Sequence, residues 1–375
     1  MKIQSILTIL SSIYLLCVTS ATAQEEPELP KGRLLYSDDS DGRRRHVDCY
    51  VISYKAGVAT YRTNMRSLNI LQAKKPALEA IYFYEPQIFT EAMNLYRAKN
   101  YSEAKVKFAE CEVSFKPLDS LPDNYATLAG FYKMECSRSS GDLEALSAEL
   151  EKYRKDGLTR ENHHQQLEIY TFWEAIRLKE WARIDRLAMG HSWQGRKLPS
   201  ELRVQIEYCH ALALDELTKE DASRWQETIN AYNRVLSADA TASIDLVLKA
   251  ANNLMRMYAE DADVQKAMKN WKAGANKTVS AGDQKLMEAN TLAQFYKQVG
   301  FHEIQPLSTD YQDFLKYGQV KFDAEAAKKP DAAAKPDVDK STEEPEAAGD
   351  DSKNSETKKG GRKDRKSKGA AKQAE

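Results

Sequence analysis

The chain has 375 residues, of which 42% are hydrophobic and 30% charged, so it contains enough apolar material for a core beneath a well-solvated surface. Its formal net charge is -1 and its pI is about 6.6. No overall electrostatic field therefore draws it to nucleic acid or to an anionic membrane, and any basic patch must be local. Only 16 residues are glycine and 11 proline, which favours long helices over a many-turned sandwich or barrel.

Residues 1–23 have the features of a secretory signal peptide. A positive charge at Lys2 precedes an apolar run over residues 6–18, and Ala21-Thr22-Ala23 provides the small residues that signal peptidase accepts before Gln24. This predicts a periplasmic or secreted protein, with an uncleaved anchor as the alternative. No later stretch approaches the roughly 18 consecutive apolar residues of a spanning helix, so no transmembrane segment is expected after cleavage.

Residues 24–30 (QEEPELP) are acidic and rich in proline and are predicted to be a flexible leader, followed by a small β-rich module over residues 31–84. Alternating apolar residues over 46–63, with a turn signal at Lys55-Ala56-Gly57, predict a β-hairpin. Residues 68–71 and 81–84 are shorter strand candidates. The module has little core of its own, so we expect it to lean on the helices that follow.

From residue 85 to 322 the apolar period becomes helical, and the short connectors predict antiparallel neighbours. After a first helix pair, helices are predicted at residues 124–139, 142–155, 160–179, 181–189, 199–217, 221–237, 242–260, 263–278 and 283–298. Aromatic residues disappear after Asp323. Residues 323–375 cannot bury enough apolar surface to offset chain entropy, and they are predicted to form a disordered charged tail.

The tail is acidic over residues 343–351 and basic over residues 358–372. Its basic end could make a weak contact with an anionic envelope surface through counterion release. No aromatic residues are interleaved with the basic ones for base stacking, so we expect no specific nucleic-acid partner.

Residues 86–117 resemble a tetratricopeptide repeat, a helix pair of about 34 residues in which small and large side chains alternate where the helices cross. The turn falls at Asn100-Tyr101, and the positions that carry the resemblance are Ala92, Leu95, Ala104, Phe108 and Cys111. Looser copies begin near residues 141, 180 and 225. The resemblance implies a right-handed α-solenoid of antiparallel helix pairs, and the whole plan is similar to that of exported repeat proteins of Gram-negative bacteria.

The cysteines are the next candidates for a structural role. After removal of Cys17 with the signal peptide, Cys49, Cys111, Cys136 and Cys209 remain. In an oxidising compartment they could form two disulfides in any of three connectivities. The alternative is that all four are small buried residues of a helical core. If one bridge forms, Cys111–Cys136 is the predicted pair, because these residues fall on consecutive predicted helices.

The sequence carries no recognised motif for catalysis, metal binding or cofactor binding. The chain contains no HExxH, GxSxG, Walker A or GxGxxG pattern. His164 and Glu168 have the spacing of two metal ligands on one helix face, but no third ligand lies nearby. The sequence therefore predicts no catalytic residues, no metal and no cofactor. An enzyme acting on glycans or peptidoglycan through scattered carboxylates is the remote alternative.

The inner groove of the predicted solenoid is the remaining candidate site. Adjacent residues on a helix point about 100° apart, so paired aromatics cannot all face the core. The predicted partner-binding residues are Tyr125, Tyr132, Tyr170, Trp173 and Tyr208. They would anchor a protein or peptide on a non-catalytic scaffold. A wide core stripe is the alternative for these aromatics. The alternative function is structural, with the β-module and tail anchoring the protein to the envelope.

Overall fold

The computed structural model describes residues 29–37, 42–238, 243–272 and 279–326. The predicted signal peptide, residues 24–28 of the leader and residues 327–375 of the tail lie outside the described residues. The described part is mainly helical, with fourteen α-helices after an N-terminal sheet, which confirms the mainly α class. The described residues up to Lys321 belong to one compact unit. None of the described helices is long and apolar enough to span a bilayer.

The N-terminal module is a five-stranded antiparallel sheet in the order β4-β3-β2-β1-β5. Its strands are β1 (Lys31–Ser37), β2 (Arg44–Lys55), β3 (Val58–Arg62), β4 (Leu71–Lys74) and β5 (Leu78–Phe83). The predicted hairpin is confirmed as β2 and β3. The residues between these strands, Ala56 and Gly57, have φ of 50° and 81°, the left-handed pair that a two-residue turn between twisted strands requires.

Both of the shorter predicted strands are displaced along the chain, and one strand was not predicted. The strand predicted at 81–84 lies at Leu78–Phe83. The strand predicted at 68–71 lies at Leu71–Lys74, because Leu71 is the first residue that pairs with β3, opposite Tyr61. Leu68 and Ile70 are apolar but exposed, at 90% and 54% of their surface. Strand β1 was missed because its apolar residues do not alternate, although it lies between β2 and β5 in the sheet.

Over the ranges that the structure describes, fourteen α-helices follow the sheet. Two short 3-10 turns, Lys116–Leu118 and Ala222–Arg224, precede α3 and α9. The helices are α1 (Gln87–Arg97), α2 (Tyr101–Phe115), α3 (Tyr125–Ser140), α4 (Leu143–Lys152), α5 (Glu161–Arg177), α6 (Trp181–Met189), α7 (His191–Gln194), α8 (Ser200–Thr218), α9 (Trp225–Ser237), α10 (Ile244–Glu260), α11 (Ala262–Lys272), α12 (Ala281–Gln298), α13 (Phe301–Ile304) and α14 (Thr309–Ala326).

Most helix ends lie within a few residues of the predicted ones. The largest shift is at α9, whose predicted start at 221 is a 3-10 turn, so the α-helix begins at Trp225. The predicted end of α11 at 278 falls outside the described residues. Helix α14 continues to Ala326, so the first residues of the predicted disordered tail are helical.

One face of the sheet shares a hydrophobic core with the first helices. Leu34, Cys49 and Val51 are each at most 1% exposed and belong to the same buried cluster as Phe108 of α2. Phe83 of β5 packs edge-on against Phe115 of α2, with ring centroids 6.0 Å apart. The apolar face of each layer is therefore covered by the other, as expected from the small core of the module.

The later helices pack mainly on their neighbours in the chain. Helix α8, for example, contacts α5, α6, α9 and α10, and α12 contacts α10 and α11. A second continuous core runs from α3 to α14. Side-chain caps fix several helix starts, since Asn124 and Asp142 accept backbone N–H groups of α3 and α4, and Ser280 and Asp283 form a capping box at α12.

Candidate functional site

Three of the five predicted partner-binding aromatics are core residues. Tyr170 is completely buried, and Trp173 and Tyr208 are only 7% and 8% exposed. Trp173 stacks on Tyr208 with ring centroids 6.3 Å apart and donates its indole N–H to Gln205 Oε1 at 2.9 Å. The prediction that these three residues contact a partner is corrected, because α5 packs against helices on more than one side and its aromatics fill the space between them. These three aromatics instead belong to a core stripe between packed helices, which is the alternative interpretation given above.

The other two predicted aromatics are half-buried. Tyr132 stacks on Phe108 with centroids 5.5 Å apart, so most of its ring is occupied by the core of the first helices. Tyr125 packs edge-on against Phe89 at 5.0 Å, but its other side borders a cleft beside the sheet. Of the five predicted residues, Tyr125 is the one that lines a described cavity.

A cavity lies between helices whose proximity the sequence analysis did not predict. It has a volume of about 810 Å³, and we call it the amide groove. Helices α9 and α12 form its walls and α10 its floor. Its residues are Gln226, Ile229, Asn230, Asn233, Leu236, Ser237, Leu254, Tyr258, Gln284, Met287, Glu288, Thr291, Leu292 and Phe295.

The amide groove has an apolar floor and a polar rim. Ile229, Leu254 and Leu292 are buried at its base, whereas the amides of Asn230 and Asn233 are exposed at its edge. A side-chain amide both donates and accepts hydrogen bonds, so such a rim can pair with the backbone of a bound chain. This arrangement of an apolar floor with a few convergent polar groups is typical of ligand sites.

The residues that line the amide groove carry little charge. Its carboxylate, Glu288, accepts a hydrogen bond of 2.7 Å from the hydroxyl group of Tyr258. Burial and this carboxylate together raise the pKa of Tyr258, so the phenol stays protonated and continues to donate. Met287, which is 48% exposed, adds a flexible thioether that adapts to different apolar side chains.

A second cavity, the edge cleft, lies where β5 faces the helical part. Its volume is about 680 Å³. One wall is β5 itself, and the other consists of the connections before α3 and before α5. Its residues are Tyr54, Lys75, Leu78, Glu79, Ala80, Ile81, Tyr82, Phe83, Ser120, Leu121, Pro122, Asp123, Asn124, Tyr125, Leu128, Gly157, Leu158, Thr159, Arg160 and His163.

The two connections of the edge cleft are held against each other by hydrogen bonds. Asp123 has a left-handed φ of 54°, its backbone N–H donates to Gly157 O at 3.0 Å, and its carboxylate accepts from Thr159. A Cβ atom at Gly157 would lie 2.4 Å from Asn124 Nδ2, so a larger residue does not fit there. This wall of the cleft is therefore preformed.

His163 lies at the base of the edge cleft and is 5% exposed. Its ring stacks on Phe131 with centroids 4.4 Å apart. Burial, together with the positive charge of Arg160, lowers the pKa of His163 below its ordinary value. Burial also raises the pKa of Tyr125 to about 12, so both side chains are neutral at neutral pH.

The four cysteines of the described residues are buried and free. The predicted Cys111–Cys136 disulfide is not formed in this structure, and both residues are instead small members of the core shared by the sheet and the first helices. Burial raises the pKa values of Cys49, Cys111 and Cys136 to about 12. These thiols are therefore in their unreactive protonated form.

Outside the two cavities, the candidate titratable residues pair with other side chains or with the backbone and form no site. In the described part of the chain, no three histidine, cysteine or acidic side chains are grouped so that they could hold a metal ion. His210 Nε2 lies 3.0 Å from Asp185 Oδ1, but the same carboxylate pairs with Arg224 at 2.8 Å, and no hydroxyl or thiol nucleophile joins them in the contacts described. The His164–Glu168 spacing is not used as a pair, because Glu168 pairs with Arg196 and His164 contacts Leu158 O.

Comparison with known proteins gave no relative: no family model, no curated protein and no solved structure matches the chain. The two cavities and their side chains are therefore the basis for any assignment of function.

Proposed function

We propose that this chain is a non-catalytic, exported helical-repeat protein, periplasmic or secreted, that holds a peptide segment of a protein partner in the amide groove. The observation that carries the proposal is the groove itself, with exposed amides along the rim and buried aliphatic side chains on the floor. A peptide with apolar side chains would place them on Ile229, Leu254 and Leu292 while its backbone pairs with the rim.

The packing of each helix on its neighbours supports a repeat architecture of the tetratricopeptide type, with a right-handed α-solenoid as the proposed arrangement. Such stacks present extended grooves that bind peptides. In this proposal the aromatics of α5 and α8 hold the stack together, and the residues that contact the partner come from α9 and α12.

Site-specific photocrosslinking tests this function. A photoreactive residue at Met287, on the groove, is expected to capture one reproducible protein segment from a cell-envelope extract. The same residue at Gln298, exposed on α12 but outside the groove, is the matched control and should capture nothing above background. Equal capture at both positions, or none at either, would contradict the proposal.

The captured segment is then synthesised and its affinity measured. Asn233→Ala removes an exposed rim amide without disturbing the core, and we expect it to weaken binding several-fold. Gln298→Ala removes an amide of similar exposure away from the groove and should leave the affinity unchanged.

A further inference from the structure

Strand β5 is an edge of the sheet whose outer side faces the edge cleft. Within the described residues β5 pairs with β1 alone. The outer side of an edge strand presents unpaired backbone N–H and C=O groups, which form a template for another strand. All six residues of β5 line the cleft.

The register shows which peptide groups face the cleft. The backbone N–H of Tyr84 donates to Lys31 O at 3.1 Å, and Tyr82 lies opposite Arg33. Residues of an antiparallel pair alternate between bonding to the partner strand and pointing away from it. The N–H and C=O groups of Ile81 and Phe83 therefore point away from β1, towards the cleft.

The two edges of the sheet differ in how they are protected. The opposite edge, β4 (LQAK), has only four residues and ends at Lys74, and a short edge strand that carries lysine or proline resists pairing. Strand β5 (LEAIYF) has neither residue type. It is instead faced across the cleft by residues 120–125 and 157–160. We expect this wall to hinder pairing with the sheet of a second copy of this chain more than pairing with a single extended chain.

The charges of the edge cleft select the type of chain. Its carboxylates are already engaged, since Glu79 accepts from Ser37 Oγ at 2.6 Å and pairs with Arg44 at 3.0 Å, while Asp123 accepts from Thr159. Its cations, Lys75 and Arg160, form no ion pair within the described part of the chain. Asp123 is hydrogen-bonded to a neutral hydroxyl group and keeps its negative charge. Because Glu79 is neutralised by Arg44, Lys75 and Arg160 still leave the cleft with a net positive charge beside an open strand edge.

We propose that the edge cleft binds an extended acidic peptide, which adds to β5 as a sixth strand. Its backbone pairs with Ile81 and Phe83, and its carboxylates pair with Lys75 and Arg160. The volume of about 680 Å³ lies within the range of sites that enclose small ligands. This site is separate from the amide groove and does not depend on the function proposed for it.

The test begins with a phage library of random peptides about nine residues long, selected at low salt on the purified full-length protein. Acidic peptides are expected to be enriched, and a synthetic copy of the strongest should protect the amide hydrogens of Ile81 and Phe83 from exchange. Replacing single peptide bonds of this copy by N-methyl bonds should abolish binding at every second position, because only alternate N–H groups face β5. Failure to enrich any peptide that protects β5 would overturn the proposal.

Two pairs of variants separate backbone pairing from charge. Ile81→Pro removes an outward N–H that makes no bond within the sheet, and it should lower the affinity at least tenfold, whereas Ile81→Ala keeps the N–H and should bind within about threefold of the original. Arg160→Glu should likewise weaken binding at least tenfold, and a peptide with lysine in place of its acidic residues should bind this variant better than it binds the original protein.

Lys155→Glu, an exposed charge reversal outside the cleft, is the control for Arg160→Glu and should leave the affinity unchanged. If Ile81→Pro does not fold, the N-methyl series decides the question, since it alters the peptide alone. Binding that survives N-methylation at every position, or that is lost equally in Lys155→Glu, would refute strand addition. Asn233→Ala, in the amide groove, should have no effect, so failure of either site can be distinguished from failure of the other.

Discussion

The hydroxyl group of Tyr170 in α5 donates a hydrogen bond of 2.6 Å to the buried carboxylate of Glu135 in α3. The same carboxylate pairs with Arg138 at 2.8 Å, and the Arg138 guanidinium lies 5.7 Å from the ring of Trp173. Burial and the adjacent carboxylate raise the pKa of Tyr170 well above its ordinary value, so it remains a donor at any physiological pH. This bond joins two helices that are separated in the chain by α4.

Removing that hydroxyl group in Tyr170→Phe should destabilise the fold. A hydrogen bond to a charged group contributes about 1.5–3 kcal/mol, and the loss is larger than for a neutral pair because the Glu135 carboxylate stays buried. Urea unfolding followed by circular dichroism measures the change. Tyr82→Phe, at a tyrosine that is 60% exposed, is the control and should stay within about 0.5 kcal/mol of the original protein. Equal effects would show that the bond between α3 and α5 contributes nothing.

Gly282→Ala tests the close approach of α11 and α12. A Cβ atom at Gly282 would lie 2.4 Å from the backbone oxygen of Asp263, which cannot move without shifting α11. Alanine favours a helix over glycine by up to about 1 kcal/mol, but overpacking costs about 1–3 kcal/mol, so we expect a net loss of stability in thermal unfolding.

Gly195→Ala is the matched control for this substitution. A Cβ atom there would have its nearest neighbour, His191 O, at 3.9 Å, which is ordinary contact. Its effect should be neutral or slightly stabilising, because alanine reduces the freedom of the unfolded chain. A rise in stability for Gly282→Ala would show that the two helices are not held at the observed distance.

The buried His163 should make stability depend on pH. The folded state holds its pKa below the ordinary 6.5, so the unfolded chain binds the proton first as the pH falls. Its contribution is complete above about pH 6.5 and is lost progressively as the pH falls below that value. The free energy of unfolding of the original protein should therefore drop more between about pH 7.5 and 5.5 than that of His163→Phe, which retains a ring against Phe131. His191→Gln removes an exposed histidine and should not reduce the drop.

Thiol titration distinguishes free cysteines from a disulfide. In a Cys17→Ser variant the four remaining thiols are buried, so a thiol reagent at about pH 8 should react slowly with the native protein. After unfolding without reductant, all four should react. A total of two would show that one disulfide, such as the predicted Cys111–Cys136, forms under the conditions of expression.

Local patterns were enough to place most helices, because amphipathic periods and caps such as Asn124 act within one helical turn. They were not enough for β1, whose strand character comes from its neighbours in the sheet: Gly32 pairs with Cys49 on one side and Phe83 on the other. The strand predicted from Leu68 was wrong for the opposite reason, since this apolar residue has no partner strand and remains in solvent. A strand is defined by partners that are distant in sequence, and no window around it contains them.

The binding residues were harder to predict for the same reason. Tyr170 reaches Glu135 in α3, and Trp173 reaches Gln205 in α8, so α5 is covered on two sides and its aromatics are not available. The amide groove forms where α9 approaches α12. The sequence of neither helix alone predicts that the two come together. The exposed amides of Gln226 and Asn230, four residues apart on one helix face, were the local signal that could have suggested it.

The shared core of the sheet and the first helices has a consequence for synthesis. During translation residues 29–84 leave the ribosome before α2, which supplies Phe108 and Phe115 to that core. One apolar face of the sheet therefore stays partly uncovered until α3 has emerged as well, because α3 supplies Ala126, Ala129 and Cys136 to the same core. A recombinant fragment that stops at residue 84 would keep this face exposed, and a fragment that contains the complete N-terminal core extends through α3, to Ser140.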